Sequence, residues 1–194
     1  MKKLLLLLLL VIACNCSVPP RQFTPLPDPI IDDERAMTVK VKCEGRTWFG
    51  SGYVVDTETI LTAGHVLACD SKPRLFLLFP GSIPVEVTES NTLVIPELDI
   101  GAIQYLNDKP EKMLSGVLPE VGERVCFYPA YPERGQKCGE VLISLPGDGG
   151  IYVTNNIVPG NSGSVVFNSK DEVVGVVVTY NPILGGGGVT GLTF

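Results

Sequence analysis

Histidine is almost absent from this chain: His65 is the only one in 194 residues. With no Cys-x-x-Cys pair either, a metal centre lacks its usual ligands, and no cofactor is expected. Basic residues are few, 15 Lys and Arg against 21 Asp and Glu, and they are scattered, giving a formal net charge of -6. A nucleic-acid surface would show a basic stripe, so no nucleic-acid partner is expected. Long apolar runs are missing as well, since Leu4 to Ile12 falls far short of the roughly 20 residues that span a bilayer. No window carries the period of a long amphipathic helix, which excludes a helical bundle.

What is present begins with a leader. Met1-Lys2-Lys3 followed by Leu4 to Ile12 has the charged start and short apolar centre of a bacterial secretory signal, so residues 1–16 read as a signal segment. The protein is therefore expected outside the cytoplasm, periplasmic or extracellular. Val11-Ile12-Ala13-Cys14 resembles a lipobox, in which Cys14 becomes the lipidated first residue and attaches the chain to a membrane. Cleavage after Ala13 or Cys16 without lipidation is the competing reading. Residues 17–35, with Pro19, Pro20, Pro25, Pro27 and Pro29, read as an extended tether.

From Thr38 the chain becomes short runs of Val, Ile, Leu, Tyr and Phe bounded by turn formers. Strands are expected at Thr38 to Lys42, Thr59 to Ala63, Leu75 to Phe79, Val85 to Thr88, Leu93 to Ile95 and Ile100 to Leu106. The second half repeats the habit at Glu123 to Tyr128, Glu140 to Ser144, Tyr152 to Thr154, Ser164 to Phe167, Val173 to Thr179 and Gly188 to Phe194. About a dozen short strands predict an all-β fold of two antiparallel six-stranded barrels, because closing a sheet removes its exposed edges. The domain spans 36–194, with lobes at 36–106 and 117–194 joined by the polar stretch Asn107 to Gly116. Cys126 and Cys138 flank a Pro/Gly-rich loop, where facing hairpin strands would bring them together. Among Cys43, Cys69, Cys126 and Cys138, spacing alone leaves three pairings open.

Three blocks carry the chemistry. Thr62-Ala63-Gly64-His65-Val66 supplies a base, Leu98-Asp99-Ile100-Gly101-Ala102 an acid within an apolar run, and Pro159-Gly160-Asn161-Ser162-Gly163-Ser164 a hydroxyl between glycines. A serine hydroxyl is a poor nucleophile until a neighbouring base takes its proton, and a neutral imidazole can do so. An acid between Leu98 and Ile100 is costly to bury unless it has a partner, and His65 would provide one. Taken singly, each block has a plainer reading: a histidine bonded at a strand end, an acid facing water, and a glycine turn.

Together the three blocks resemble those of trypsin-like peptidases over about Thr38 to Phe194. The C-terminal pattern, Pro159 to Phe167 followed by Val173-Val174-Gly175-Val176 and Gly188 to Phe194, is similar to the bacterial HtrA/Deg-type and glutamyl-endopeptidase-like branch. No PDZ domain is expected after Phe194. The resemblance implies a triad of His65 as general base, Asp99 as its orienting acid and Ser162 as nucleophile, in the cleft between two barrels. It implies an oxyanion hole made by the N-H groups of Gly160 and Ser162, and a bridge between Cys43 and Cys69 beside the histidine. Chain-entropy arithmetic gives roughly 3.5 kcal/mol for that closure and about 2.9 kcal/mol for Cys126 with Cys138.

Asn161 departs from the trypsin pattern, in which an acid there pairs with a newly freed amine. No such activation step is expected. The resemblance walls the P1 pocket with the run Asn156 to Pro159, Val158 included, on one side and Val177 to Tyr180, with Val178 and Thr179, on the other. Asn156 offers no charge for Lys or Arg, so a small or medium apolar P1 side chain is expected. Gly185 to Gly188 are read as a conformationally loose loop beside that pocket. The function expected is a serine endopeptidase acting on protein or peptide substrates through an acyl-enzyme. The rivals are an inactive double-barrel peptide binder and an α/β-hydrolase. The latter fails because its triad runs Ser, acid, His, and Ser164 stands where its nucleophile motif needs glycine.

Overall fold

The computed structural model describes residues 33–145, 149–154, 156–179, 181 and 186–192; the leader, Cys14 and the tether up to residue 32 lie outside them. The first lobe contains β1 (Ala36–Cys43), β2 (Arg46–Val54), β3 (Thr59–Ala63), the single turn α1 (Gly64–Leu67), β4 (Arg74–Leu78), β5 (Val85–Val87), β6 (Thr92–Ile95) and β7 (Ile100–Gln104). The second contains β8 (Arg124–Phe127), β9 (Lys137–Leu145), β10 (Gly150–Val153), β11 (Val165–Phe167), β12 (Val173–Val177) and β13 (Gly187–Gly191).

Alternation builds the first lobe. Met37, Val39 and Val41 of β1 are fully buried, while Lys40 and Lys42 between them turn toward solvent. Register sets Val39 opposite Gly50 and Leu77, so the inward side chains of β1, β3, β4 and β7 form one apolar core. The sheet runs β5-β4-β1-β2-β3-β7-β6 and the second lobe closes as β10-β13-β12-β11-β8-β9. The all-β, two-lobe expectation therefore holds, with one refinement: the first lobe is a curled seven-stranded sheet. A 3-10 turn at Glu89–Asn91 breaks what would be one strand, leaving β5 on β4 and β6 on β7.

β2 is the strand that the sequence did not announce. Its centre, Gly50-Ser51-Gly52, has too little side chain to show a period. The reason for those small residues lies in packing: a Cβ on Gly50 would sit 2.6 Å from a Val66 methyl, and one on Gly52 would sit 2.9 Å from a Val39 methyl. Both expected disulfides form. Cys43 is joined to Cys69, and Cys126 to Cys138, which face each other directly in the β8–β9 register.

The lobes share a seam. Val165, Phe167, Val173 and Val176 of the second lobe join the apolar core of the first. There the Tyr53 and Phe167 rings meet edge-on at 5.1 Å, with Tyr128 5.9 Å from Phe167. Such aromatic pairs contribute about 0.5–1.5 kcal/mol beyond the burial of their area. The Tyr53 hydroxyl donates to Asp33 Oδ2 at 2.5 Å. Burial first, and that bond second, push its phenol well above the usual tyrosine range. The polar join is no free linker, since Leu114 forms a parallel bridge with Val173, fastening it to the start of β12.

Candidate active site

β3 ends at Ala63 and the chain turns through α1, which carries His65 at the rim of the first lobe. Gly64 lets Asp99 come close: a Cβ would lie in tight contact, 3.0 Å from Asp99 Oδ1 and 3.1 Å from the Asp99 carbonyl carbon. The Gly64 N-H donates to the Asp99 carbonyl oxygen at 2.7 Å, and the Trp48 indole N-H donates to the Val66 carbonyl at 2.9 Å. These bonds fix the turn from both sides.

Asp99 follows a 3-10 turn at Pro96–Leu98 and takes a left-handed conformation, φ 52 and ψ 37. Aspartate tolerates that region better than most residues, and the reversal aims its carboxylate back at α1. Oδ1 accepts the His65 main-chain N-H at 2.7 Å, and Oδ2 lies 2.7 Å from His65 Nδ1. An ionised carboxylate can only accept, so the neutral ring carries its proton on Nδ1 and presents the lone pair of Nε2. The pair is not deeply buried: 46% of the histidine side chain and 34% of the aspartate side chain are exposed. Asp99 is thus held by geometry more than by the dry environment its apolar neighbours suggested.

The segment from Pro159 to Ser164 leaves the second lobe and presses against the first. Gly163 has φ 92, and a Cβ on it would lie 1.9 Å from the Ser51 carbonyl oxygen and 3.0 Å from Ala63 N. Only glycine fits, and the fit brings the residue after Ser162 against the strand end that leads into His65. Gly50 is wedged between the Ser162 carbonyl and Val66. The three sequence blocks therefore converge on one patch of the cleft.

The hydrogen bonding of this segment alternates. The N-H groups of Asn161, Gly163 and Ser164 donate to the carbonyls of Val158, Val177 and Asn161. Those of Gly160 and Ser162 have no acceptor among the described residues. Two neighbouring donors left open beside a half-buried hydroxyl can stabilise a negatively charged oxygen. Asn161 is fully buried, its Nδ2 donating to the Tyr131 carbonyl at 2.8 Å and its Oδ1 accepting the Val158 N-H at 3.1 Å. Both ends of the amide are engaged within the fold.

Of the residues expected to line a pocket, Val158 and Val178 are half-buried, and Asn156, Pro159 and Thr179 are exposed; Tyr180 lies outside the described residues. Val178 and Thr179 donate their N-H groups to the Gly188 carbonyl, while the Gly188 N-H donates to Thr179 Oγ1 at 3.0 Å. This corrects the reading of the glycine run as loose. Gly186 pairs with Asn181, and Gly187 and Gly188 belong to β13. A Cβ on Gly186 or Gly187 would strike the Val153 or Thr179 carbonyl at 2.0 and 2.2 Å, so these glycines serve close packing; Gly185 lies outside the described residues. Ile157, inside the run expected to wall the pocket, is buried and packs directly on Gly187. Sequence reasoning missed Ser51 and Tyr131, which hold the Gly160 segment. The small-residue run around Ser51 was the available signal, because such runs in a strand mark close backbone approach.

Comparison with known proteins gives a family and a fold. The family model described as a trypsin-like peptidase domain matches residues 50–176. Among solved structures, the active form of the Rv3671c protease from M. tuberculosis superposes with a TM-score of 0.68 at 16% identity, covering 83% of this chain and 77% of that one. The serine endoprotease from Yersinia pestis gives 0.65 at 17% identity over 81% of this chain and 58% of its own. The HtrA-type protease AlgW with a tripeptide gives 0.66 at 15% identity over 82% and 56%. At these identities the likeness is one of fold. No curated protein sequence matches the chain. The family match covers most of the chain and contains all three blocks: this protein belongs to the trypsin-like peptidase family.

Proposed function

We propose that the protein is a serine endopeptidase that cleaves protein or peptide bonds through an acyl-enzyme, with Ser162 as nucleophile, His65 as general base and Asp99 as its orienting acid. The observation that carries this is the two-point grip of Asp99 on His65, at 2.7 Å to the main chain and 2.7 Å to the ring, on the patch where Ser162 arrives. Ser162 Oγ attacks the substrate carbonyl as Nε2 takes its proton, and the open N-H groups of Gly160 and Ser162 receive the developing oxyanion. His65 then returns the proton to the leaving amine, and water repeats the sequence to release the acid.

An apolar P1 residue of small or medium size fits the surroundings best. Val158 and Val178, both half-buried, are aliphatic residues of the expected walls, and the Asn156 side chain carries no charge to pair with Lys or Arg. Leu93, Val94, Ile95 and Leu98 leave large apolar side chains exposed on the segment that leads to Asp99, which suits an apolar peptide. Export, through residues 1–16 and with Cys14 lipidation as the anchor, accords with two disulfides, which persist in oxidising compartments.

The test is labelling with a fluorophosphonate together with digestion of a mixed peptide library, the intact protein against Ser162→Ala. Intact protein is expected to label and to cut after apolar residues, and Ser162→Ala to do neither. A folded chain that binds peptides, never labels and never cuts would instead be a binding module on a protease fold. Equal cleavage by both versions would refute Ser162 as the nucleophile.

A further inference from the structure

Ser51, near the middle of β2, is fully buried, and its polar groups are all used. Its N-H donates to the Ser162 carbonyl at 2.8 Å. Its hydroxyl donates to the Gly160 carbonyl at 3.0 Å and accepts the Ala130 N-H at 3.1 Å. Its carbonyl accepts the Thr62 hydroxyl at 2.7 Å. One residue of the first lobe therefore holds both carbonyls that flank Asn161 in the second.

The consequence lies in the peptide planes. The Gly160–Asn161 plane is pinned at both ends, its oxygen by the Ser51 hydroxyl and its N-H by the Val158 carbonyl. The Ser162–Gly163 plane is pinned likewise, by the Ser51 N-H and the Val177 carbonyl. The two open N-H groups belong to the Pro159–Gly160 and Asn161–Ser162 planes, which flank the pinned Gly160–Asn161 plane. Gly160, at φ 96, has no Cβ to resist rotation of its neighbouring planes. With no side chain to brace it, the residue is anchored on its C-terminal side by the bond from Ser51 to its carbonyl.

Resting on the proteolytic reading above, we propose that Ser51 is a positioning residue: its hydroxyl, supplied from the opposite lobe, keeps the Gly160 N-H aimed at the reacting carbonyl oxygen. Removing the hydroxyl leaves the Gly160 carbonyl and the Ala130 N-H without a partner in a buried site and frees the glycine to turn. Full loss of an oxyanion donor costs about 100-fold to 1000-fold, so a donor that is present but unsteadied should cost about 10-fold to 100-fold.

The experiment compares Ser51→Ala with Thr38→Val. Thr38 donates its hydroxyl to the Ala130 carbonyl at 3.1 Å in the same buried seam but touches nothing in the Gly160 segment. Ser51→Ala is expected to lower kcat on a peptide substrate by about 10-fold to 100-fold, with KM within about threefold. The affinity of a peptide aldehyde, which forms an oxyanion on the enzyme, should fall by the same factor. Thr38→Val should lower Tm and leave kcat and aldehyde binding near wild type. If Ser51→Ala behaves as Thr38→Val does, losing only stability, the proposal is overturned while the proteolytic reading stands. A wild-type chain inert toward both peptide and fluorophosphonate overturns the reading and the proposal together.

Discussion

Replacing Asp99 by Asn isolates one physical effect. The left-handed backbone at φ 52 would penalise Ala, whereas Asn is among the residues that accept it, so the fold is kept. The amide oxygen can still accept the His65 main-chain N-H now held by Oδ1. The amide nitrogen then faces Nδ1, where it can only donate. A neutral imidazole must accept at that position and carry its proton on Nε2, the atom that has to strip Ser162. The ring is in the wrong tautomer, and its protonated form loses the charge that stabilised it. In serine triads amidating the acid costs about 10⁴-fold, equivalent to about 5.5 kcal/mol at roughly 1.4 kcal/mol per decade. Because the pair is partly exposed, it adds little to stability, and Tm should fall by no more than about 4 °C. The assay is kcat/KM on a chromogenic peptide, with Tm by circular dichroism as the control. A loss under about tenfold in a folded variant would refute the assignment of Asp99 to the orientation of His65.

Three other outcomes follow from the geometry. Gly160→Ala should lower kcat/KM by about 10-fold to 100-fold, since a side chain at φ 96 costs about 1–3 kcal/mol and its Cβ would lie 2.4 Å from the Tyr131 ring; adding Tyr131→Ala should recover part of the loss, and equal losses in both would show that the ring is not the obstacle. Ser164→Ala should raise Tm by a few degrees, because the buried Ser164 hydroxyl has no partner among the described residues and such groups cost about 1–3 kcal/mol; a lower midpoint in a thermal melt would show that the hydroxyl is satisfied. Tyr53 stays protonated in the folded chain when the unfolded chain ionises near pH 10, so stability falls as pH rises above about 10. Urea melts at pH 8 and 11 should show a smaller alkaline loss for Tyr53→Phe than for wild type, and equal losses would count against a buried phenol.

Much of this was legible because local rules and burial point the same way. Thr59–Ala63 forms β3 with the expected ends, and His65 and Asp99 meet as the acid's need for a partner required. What stayed hidden depends on contacts across the seam. Gly50-Ser51-Gly52 lacks the side chains that would show a strand period, so β2 went unexpected, although those small residues are what let it pass under Val66 and the Ser162 carbonyl. Gly186 to Gly188 misled for the same reason, their lack of side chains reflecting crowding by the Val153 and Thr179 backbones. Asp99 was expected to be sheltered because Leu98 and Ile100 flank it, yet the left-handed turn swings it to the rim, leaving Leu98 exposed and Ile100 buried.

Among the described strands, β13 completes the closed second barrel. β13 pairs with both β10 and β12, and β12 in turn holds the Gly163 N-H through Val177. One cross-strand ladder thus ties the floor of the cleft to the closure of the barrel, so a defect far along the chain would be felt at the segment that carries Ser162.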